Sequence, residues 1–158
     1  QLVNTIHSLF HTYEDKFVTT PNYHVFEMYM PHAGATAVRT EFVSPKVAYT
    51  RFDAARKEIP ANFWGLNGSA SIKGKTVTLT AVNPDATNSR DTEININGAR
   101  IVSANARVLS SNDIHARNSF ENPNALVPRN ENVSVGAGSK VVYKFAPASV
   151  TRLTLTIA

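Results

Sequence analysis

Acid–base chemistry on a sugar needs two carboxylates held at a set separation. Asp113 and Glu121 come closest to offering such a pair. Both lie in the polar, asparagine-rich stretch 110–132, which also holds Pro123 and Pro128. A catalytic pair needs rigid support, whereas loops use Asp and Asn to close turns. Asp113 and Glu121 are therefore expected to be turn formers on a solvated loop, and no catalytic residue is assigned. Glu27 lies opposite Val25 and Phe26 on a short helical pattern and is expected to be solvated or ion-paired.

The other reactive side chains give weaker signals. His7 and His11 are four apart, which would put both rings on one face of a helix. Two histidines alone do not complete a ligand set, so no metal is expected. His24 and His32 flank the helical pattern, and His115 sits in the long polar stretch, where it is expected to bond to loop backbone. No serine occupies a Gly-x-Ser-x-Gly elbow, and no glycine-rich segment opens a helix to cradle phosphate. The absence of cysteine excludes disulfides, thiol catalysis and thiolate metal sites. Trp64 is the only tryptophan. It could stack on a sugar ring, but beside Phe63 and after Pro60 it is expected to plug a core or a domain interface.

The net charge is +4, but the lysines and arginines are scattered and are not interleaved with stacking aromatics. Nucleic acid is therefore not an expected partner. No apolar run is long enough to span a bilayer, and no signal peptide is recognisable, so no membrane partner is expected. The compartment stays open between cytoplasmic and periplasmic or secreted. The sequence starts at Gln1 in mid-pattern, as expected of a fragment.

The elements that must position these residues are mostly strands. In 66–83, Lys73 and Gly74 mark a tight turn, and Gly74 can take positive φ. After it Thr76, Thr78 and Thr80 alternate with Val77, Leu79 and Ala81. This period of two sends the aliphatics to a core and the threonines to an exposed face. Further strands are expected over 37–43, 47–51, 92–97, 100–109, 133–135, 139–145 and 150–157. Asn97-Gly98 marks a turn between two of them. Such short strands with turn residues between them point to an antiparallel β-sandwich of jelly-roll type.

The N-terminal part reads differently. Residues 2–10 are apolar enough for a buried strand or a short helix, and 12–16 read as a loop. Thr20-Pro21 is a helix start, with a Thr cap and Pro at the first helical position. Val25, Phe26, Tyr29 and Met30 then form an apolar stripe, and Pro31 stops the helix. A boundary falls near Ala35.

Three segments together carry a family resemblance. One is Gln1-Leu2-Val3-Asn4, followed by Thr20-Pro21-Asn22-Tyr23-His24-Val25-Phe26-Glu27-Met28-Tyr29. Another is Leu79-Thr80-Ala81-Val82-Asn83-Pro84-Asp85. The third is Asn112-Asp113-Ile114-His115-Ala116-Arg117-Asn118-Ser119-Phe120-Glu121-Asn122-Pro123, with Val127-Pro128 after it. In this order they resemble the C-terminal portion of the α-L-arabinofuranosidases of glycoside hydrolase family fifty-one. The resemblance implies that residues 1–36 are the end of a catalytic (β/α)8 barrel, including its last helix, and that residues 37–158 are a C-terminal β-sandwich.

The parent enzyme would remove terminal α-L-arabinofuranosyl groups from arabinan or arabinoxylan by a retaining mechanism. It would need no cofactor, and its two catalytic glutamates would lie outside this chain. Gln1 matches the glutamine of a Gln-x-x-Asn segment that lines the arabinose pocket in that family. The implied partners are the barrel of the same parent chain and an arabinose-containing saccharide, with homo-oligomer contacts open. The rival readings are a stand-alone carbohydrate-binding sandwich, with Trp64 and exposed tyrosines as platforms, and an interaction module without sugar affinity. The helix over 20–30 discriminates, because a binding module has little use for an amphipathic helix with no barrel to cover.

Overall fold

A computed structural model describes residues 2–136 and 140–158. Gln1 and the start of the strand expected over 139–145 lie outside the described residues. In chain order the elements are β1 (Phe10–Tyr13), β2 (Lys16–Thr19), α1 (Pro21–Tyr29), a 3-10 turn (Met30–His32), β3 (Thr36–Val38), β4 (Val47–Phe52), β5 (Glu58–Phe63), β6 (Asn67–Lys73) and β7 (Thr76–Asn83). Then come β8 (Arg90–Ile94), β9 (Ile101–Ser110), β10 (Arg129–Val133), β11 (Val141–Phe145) and β12 (Ser149–Ile157).

The main layer is a six-stranded antiparallel sheet in the order β10-β9-β12-β7-β6-β3. β12 lies between β9 and β7, so it donates and accepts along both edges. The opposing layer is the antiparallel pair β11–β8. In β11, Val141, Tyr143 and Phe145 are buried while Val142 and Lys144 are exposed, the alternation of a half-buried strand. Val77, Leu79 and Ala81 of β7, Ala106 and Val108 of β9, and Leu153 and Leu155 of β12 meet them in one core. The mainly β sandwich expected from the sequence is thus the observed fold. The turn between β6 and β7 has Gly74 at φ +59°, and Gly98 takes φ +83° after Asn97. Both are left-handed conformations that favour glycine.

The threonine face departs from expectation. Thr78 and Thr80 are buried, with Thr80 completely so, rather than solvent-facing. The reason is a third layer: α1 packs against β9 and β12 on the side of the sheet away from the core. Ser71 and Thr80 on that side meet the ring of His32. Leu79→Ala is expected to cost about 2–5 kcal/mol, since Leu79 lies in the core. Thr78→Ala, which a solvent-facing position would make nearly neutral, is expected to be destabilising because Thr78 is buried.

The helix starts where its cap requires. Thr20 Oγ1 accepts from the Tyr23 amide at 3.4 Å, donates to Ser8 O at 2.7 Å, and Pro21 takes the first position. The chain leaves the helix through the 3-10 turn that contains Pro31. The buried side of α1 carries His24 and Met28. In the expected stripe Val25 and Tyr29 are only half-buried, and Phe26 and Met30 are each 65% exposed. Open apolar surface of this kind drives association. Light scattering at rising concentration is expected to show self-association that weakens when Phe26 and Met30 are both changed to Ser. A monomer at every concentration, unchanged by the substitutions, would contradict this.

Other expectations need correction. Residues 2–10 are neither a buried strand nor a helix: Leu2 and Val3 are exposed, and Ile6 is 92% exposed. Their backbone is tied locally, by Asn4 N to Phe10 O at 3.0 Å and by Leu9 N to Leu2 O at 3.1 Å. Residues 12–16 are a tight hairpin joining β1 to β2, with Glu14 at φ +54°. The β4–β5 hairpin includes a strand over 58–63 that the pattern did not reveal, because Pro60 and scattered polar residues hide its alternation. The long loop ends sooner than expected, at β10.

Candidate functional site

The long loop is pinned by Asn118, which is buried. Its Oδ1 accepts from the Leu126 amide at 2.7 Å, and its Nδ2 donates to Leu126 O at 3.1 Å and Thr19 O at 2.9 Å. The loop is thereby stapled to the end of β2. Asp113 and Glu121 are both exposed on it. Asp113 Oδ1 accepts from the His115 amide at 2.8 Å, and Asp113 O accepts from the Ala116 amide at 3.1 Å, which makes a turn. Hydrogen bonding from the Ser119 side chain holds the Glu121 carboxyl below the ordinary range, with a smaller contribution from its own amide. Asp113 thus forms a turn, and Glu121 lies exposed on the same loop. The bond that His115 makes is not the expected one to loop backbone: its own amide donates to the Asp113 side chain.

His7 and His11 do not share a helix, since His11 lies on β1 and His7 precedes it in an irregular turn. Among the described residues no group of three His, Asp or Glu side chains gathers to hold a metal ion. Glu27 is ion-paired, 2.9 Å from Arg107 Nη2. His24 lies on the buried side of α1, with Nε2 3.4 Å from Thr19 Oγ1.

Two concave surfaces stand out. One, of about 490 Å³, is lined by Tyr29, Phe63, Trp64, Asn67, Ser69 and Val82 among others. Trp64 is 71% exposed there, with Lys46 Nζ 5.5 Å from its ring centre. It does not plug the core of this domain. It follows the β4–β5 hairpin, which stands apart from the six-stranded sheet. The chain then turns back past Gly65, where a Cβ would lie 2.0 Å from Pro45 O. The other surface, of about 520 Å³, is lined by Asn4, Thr5, Ile6, His11, Tyr13 and Phe120 among others. Asn4, at φ +54°, accepts from the Thr12 amide at 2.7 Å and donates to Thr12 Oγ1 at 3.1 Å. Its amide therefore fastens the N-terminal segment to β1. Gln1, the proposed sugar contact, lies outside the described residues.

A polar knot at one end of the sandwich went unread in the sequence. Asn83 is fully buried, and its Nδ2 donates to Asn88 O and Ala146 O, each at 2.9 Å, while its Oδ1 accepts from the Asp85 amide at 3.2 Å. Asp85 accepts from the amides of Thr87 at 3.0 Å and Asn88 at 2.9 Å, and from Arg90 Nη2 at 2.7 Å. The knot fixes the β7–β8 turn against the β11–β12 turn. The sequence signal was Asn83-Pro84-Asp85, a turn triplet inside the familiar segment.

Hydrogen bonds from the Thr87 and Asn88 amides hold the Asp85 carboxyl far below its ordinary value. A depressed carboxylate stabilises the fold above the unfolded pKa of about 4, and that contribution is lost as pH falls through the range below it. Urea midpoints measured from about pH 6 to about pH 2 are expected to fall, and to fall less in Asp85→Asn. Equal acid sensitivity in both proteins would remove Asp85 from this role.

The structure is an antiparallel β-sandwich with a helix docked on one face, held by polar knots and open at two concave surfaces. Residues 1–149 match the model of the family described as the alpha-L-arabinofuranosidase C-terminal domain, and the chain belongs to that family. It is similar to the intracellular exo-alpha-L-arabinofuranosidase of Bacteroides ovatus, 27% identical over 153 residues, which cover 96% of this chain and 28% of that protein. Among solved structures it is similar to the GH51 arabinofuranosidase of Xanthomonas axonopodis pv. citri, with a TM-score of 0.83 and 26% identity over 99% of this chain and 30% of that one. The alpha-L-arabinofuranosidase of Thermotoga maritima, solved as an arabinose complex, gives a TM-score of 0.83 and 27% identity over 99% of this chain and 33% of that one. The chain therefore spans about a third of the length of these relatives.

Proposed function

We propose that this chain is the non-catalytic C-terminal part of a retaining α-L-arabinofuranosidase that removes terminal arabinofuranosyl groups from arabinan or arabinoxylan. Residues 1–36 are the end of its (β/α)8 barrel, and 37–158 form a sandwich that buttresses the barrel. The observation that carries this reading is the family match over residues 1–149 in a chain only about a third as long as its relatives. The open surfaces of Leu2, Ile6, Phe26 and Met30 support it, since a barrel would have something to cover there. The catalytic glutamates belong to the barrel, and protein carboxylates alone carry the two-step chemistry.

Gln1 is the arabinose contact in this reading, at the end of the last barrel strand, where barrel active sites are built. A neutral amide can both donate to and accept from sugar hydroxyls. Gln1→Ala in the full-length enzyme is expected to lose about 1–3 kcal/mol of transition-state binding, read in kcat/KM with Tm nearly unchanged. Asp113→Ala is expected to show no such kinetic loss. A silent Gln1→Ala, or a larger loss in Asp113→Ala, would overturn the placement.

A sugar-binding sandwich is the second reading, favoured by the exposure of Trp64 in its groove. Trp64 is the only tryptophan, so its fluorescence reports that groove alone. Arabino-oligosaccharide titration of this chain is expected to leave the emission unchanged. A saturable shift, lost in Trp64→Phe, would transfer the assignment to the second reading.

A further inference from the structure

His32 ends the 3-10 turn that follows α1, and its ring reaches strands β6 and β7. Nδ1 lies 2.7 Å from Ser71 Oγ, and Nε2 lies 3.0 Å from Thr80 Oγ1. Thr80 is fully buried, and its hydroxyl also lies 3.2 Å from Ser69 Oγ. A neutral imidazole has one donor and one acceptor. Two hydroxyls, each able to donate or accept, match it in either tautomer. The contact is therefore complete without any charge.

The charged groups that share this face of the sheet are mostly cations. β6 brings Lys73, whose Nζ lies 3.9 Å from a Cβ position at Gly34, just beyond the turn. β12 brings Arg152, paired in register with Thr80, and β9 brings Arg107, paired with Arg152. α1 brings Tyr29, with its ring centre 5.6 Å from that of His32. The carboxylate that α1 places against this face, Glu27, is already 2.9 Å from Arg107. An imidazolium here would join a cationic face whose nearby carboxylate is committed elsewhere.

We propose that His32 is a pH-sensitive latch that holds the helical N-terminal segment on the sandwich, closed when the ring is neutral and weakened when it is protonated. The latch belongs to the chain as it stands and does not depend on the activity of any longer polypeptide. Burial lowers the His32 pKa. The unfolded ring, at about 6.5, then takes up a proton before the folded one. The stabilisation is full above that pH, falls as pH drops below it, and is gone once pH has passed the folded value.

Two measurements on the whole chain test this. An NMR titration of the His32 ring is expected to give a midpoint below the ordinary value of about 6.5; a midpoint at or above it would overturn the proposal. Amide exchange over 28–36, corrected for intrinsic rates, is expected to show severalfold more opening at about pH 5.5 than at about pH 7.5. His32→Gln keeps a donor and an acceptor but cannot titrate, and its opening is expected to be the same at both pH values. Opening that does not depend on pH in the natural chain, or depends on it equally in His32→Gln, would overturn the latch. If His32→Gln does not fold, the ring titration decides alone.

Discussion

Leu153→Ala is expected to destabilise the chain by about 2–5 kcal/mol, among the largest effects of any single core truncation here. Leu153 is completely buried on β12, the strand bonded along both edges. In register it faces Ala106 of β9 on one side and Leu79 of β7 on the other. Ala106 is too small to relax into the space, and Phe145 and Tyr143 of the opposing layer are rigid rings. The site therefore keeps most of its cavity, and the cavity term adds to the lost transfer energy. For a chain of this size each kcal/mol lowers Tm by about 2–4 °C. Val142→Ala, on the exposed side of β11, is expected to stay within about 0.5 kcal/mol. Urea denaturation compares the two. Equal midpoints would mean that the sheet does not present Leu153 to the core.

Asn83→Ala is the second large effect. The side chain is fully buried and closes the knot between the β7–β8 and β11–β12 turns. Truncation leaves the carbonyls of Asn88 and Ala146 without their donor and the Asp85 amide without its acceptor. Unpaired buried groups cost about 1–3 kcal/mol each, less where water enters. A loss of about 2–4 kcal/mol is expected, with the urea m-value unchanged. Asn83→Asp keeps the shape but replaces the donor with a carboxylate facing two carbonyl oxygens. It is expected to do at least as much damage. A neutral Asn83→Asp would show that shape, not hydrogen bonding, fixes the turn.

The parts that could be read from the sequence are those governed by local chemistry. Thr20-Pro21 specifies a cap and a first turn from neighbouring residues alone, Gly74 marks the β6–β7 hairpin, and Gly98 marks the turn from β8 to β9, both at positive φ. Val141, Tyr143 and Phe145 alternate because one side of their strand faces water. The burial of Thr78 and Thr80 was hidden, because period-two patterning assumes a sheet with one wet face. Here a helix more than forty residues earlier in the chain lies on that face, and His32 supplies the partners that let hydroxyls be buried. The exposure of Trp64 was hidden for the opposite reason: its neighbours looked core-like, but they belong to a hairpin that leaves the sandwich. Residues 2–10 misled by composition, since apolar residues pack only where a layer exists to receive them. The knot at Asn83 and Asp85 joins turns some sixty residues apart, and no local pattern announces that.

Activity on an aryl α-L-arabinofuranoside tests the central claim most directly. The 158-residue chain would be assayed beside a longer polypeptide that joins it to the proposed barrel, at equal concentration. No turnover by the chain and clear turnover by the longer polypeptide are expected. Turnover that co-purifies with the chain, or a longer polypeptide with no arabinofuranosidase activity, would contradict the account.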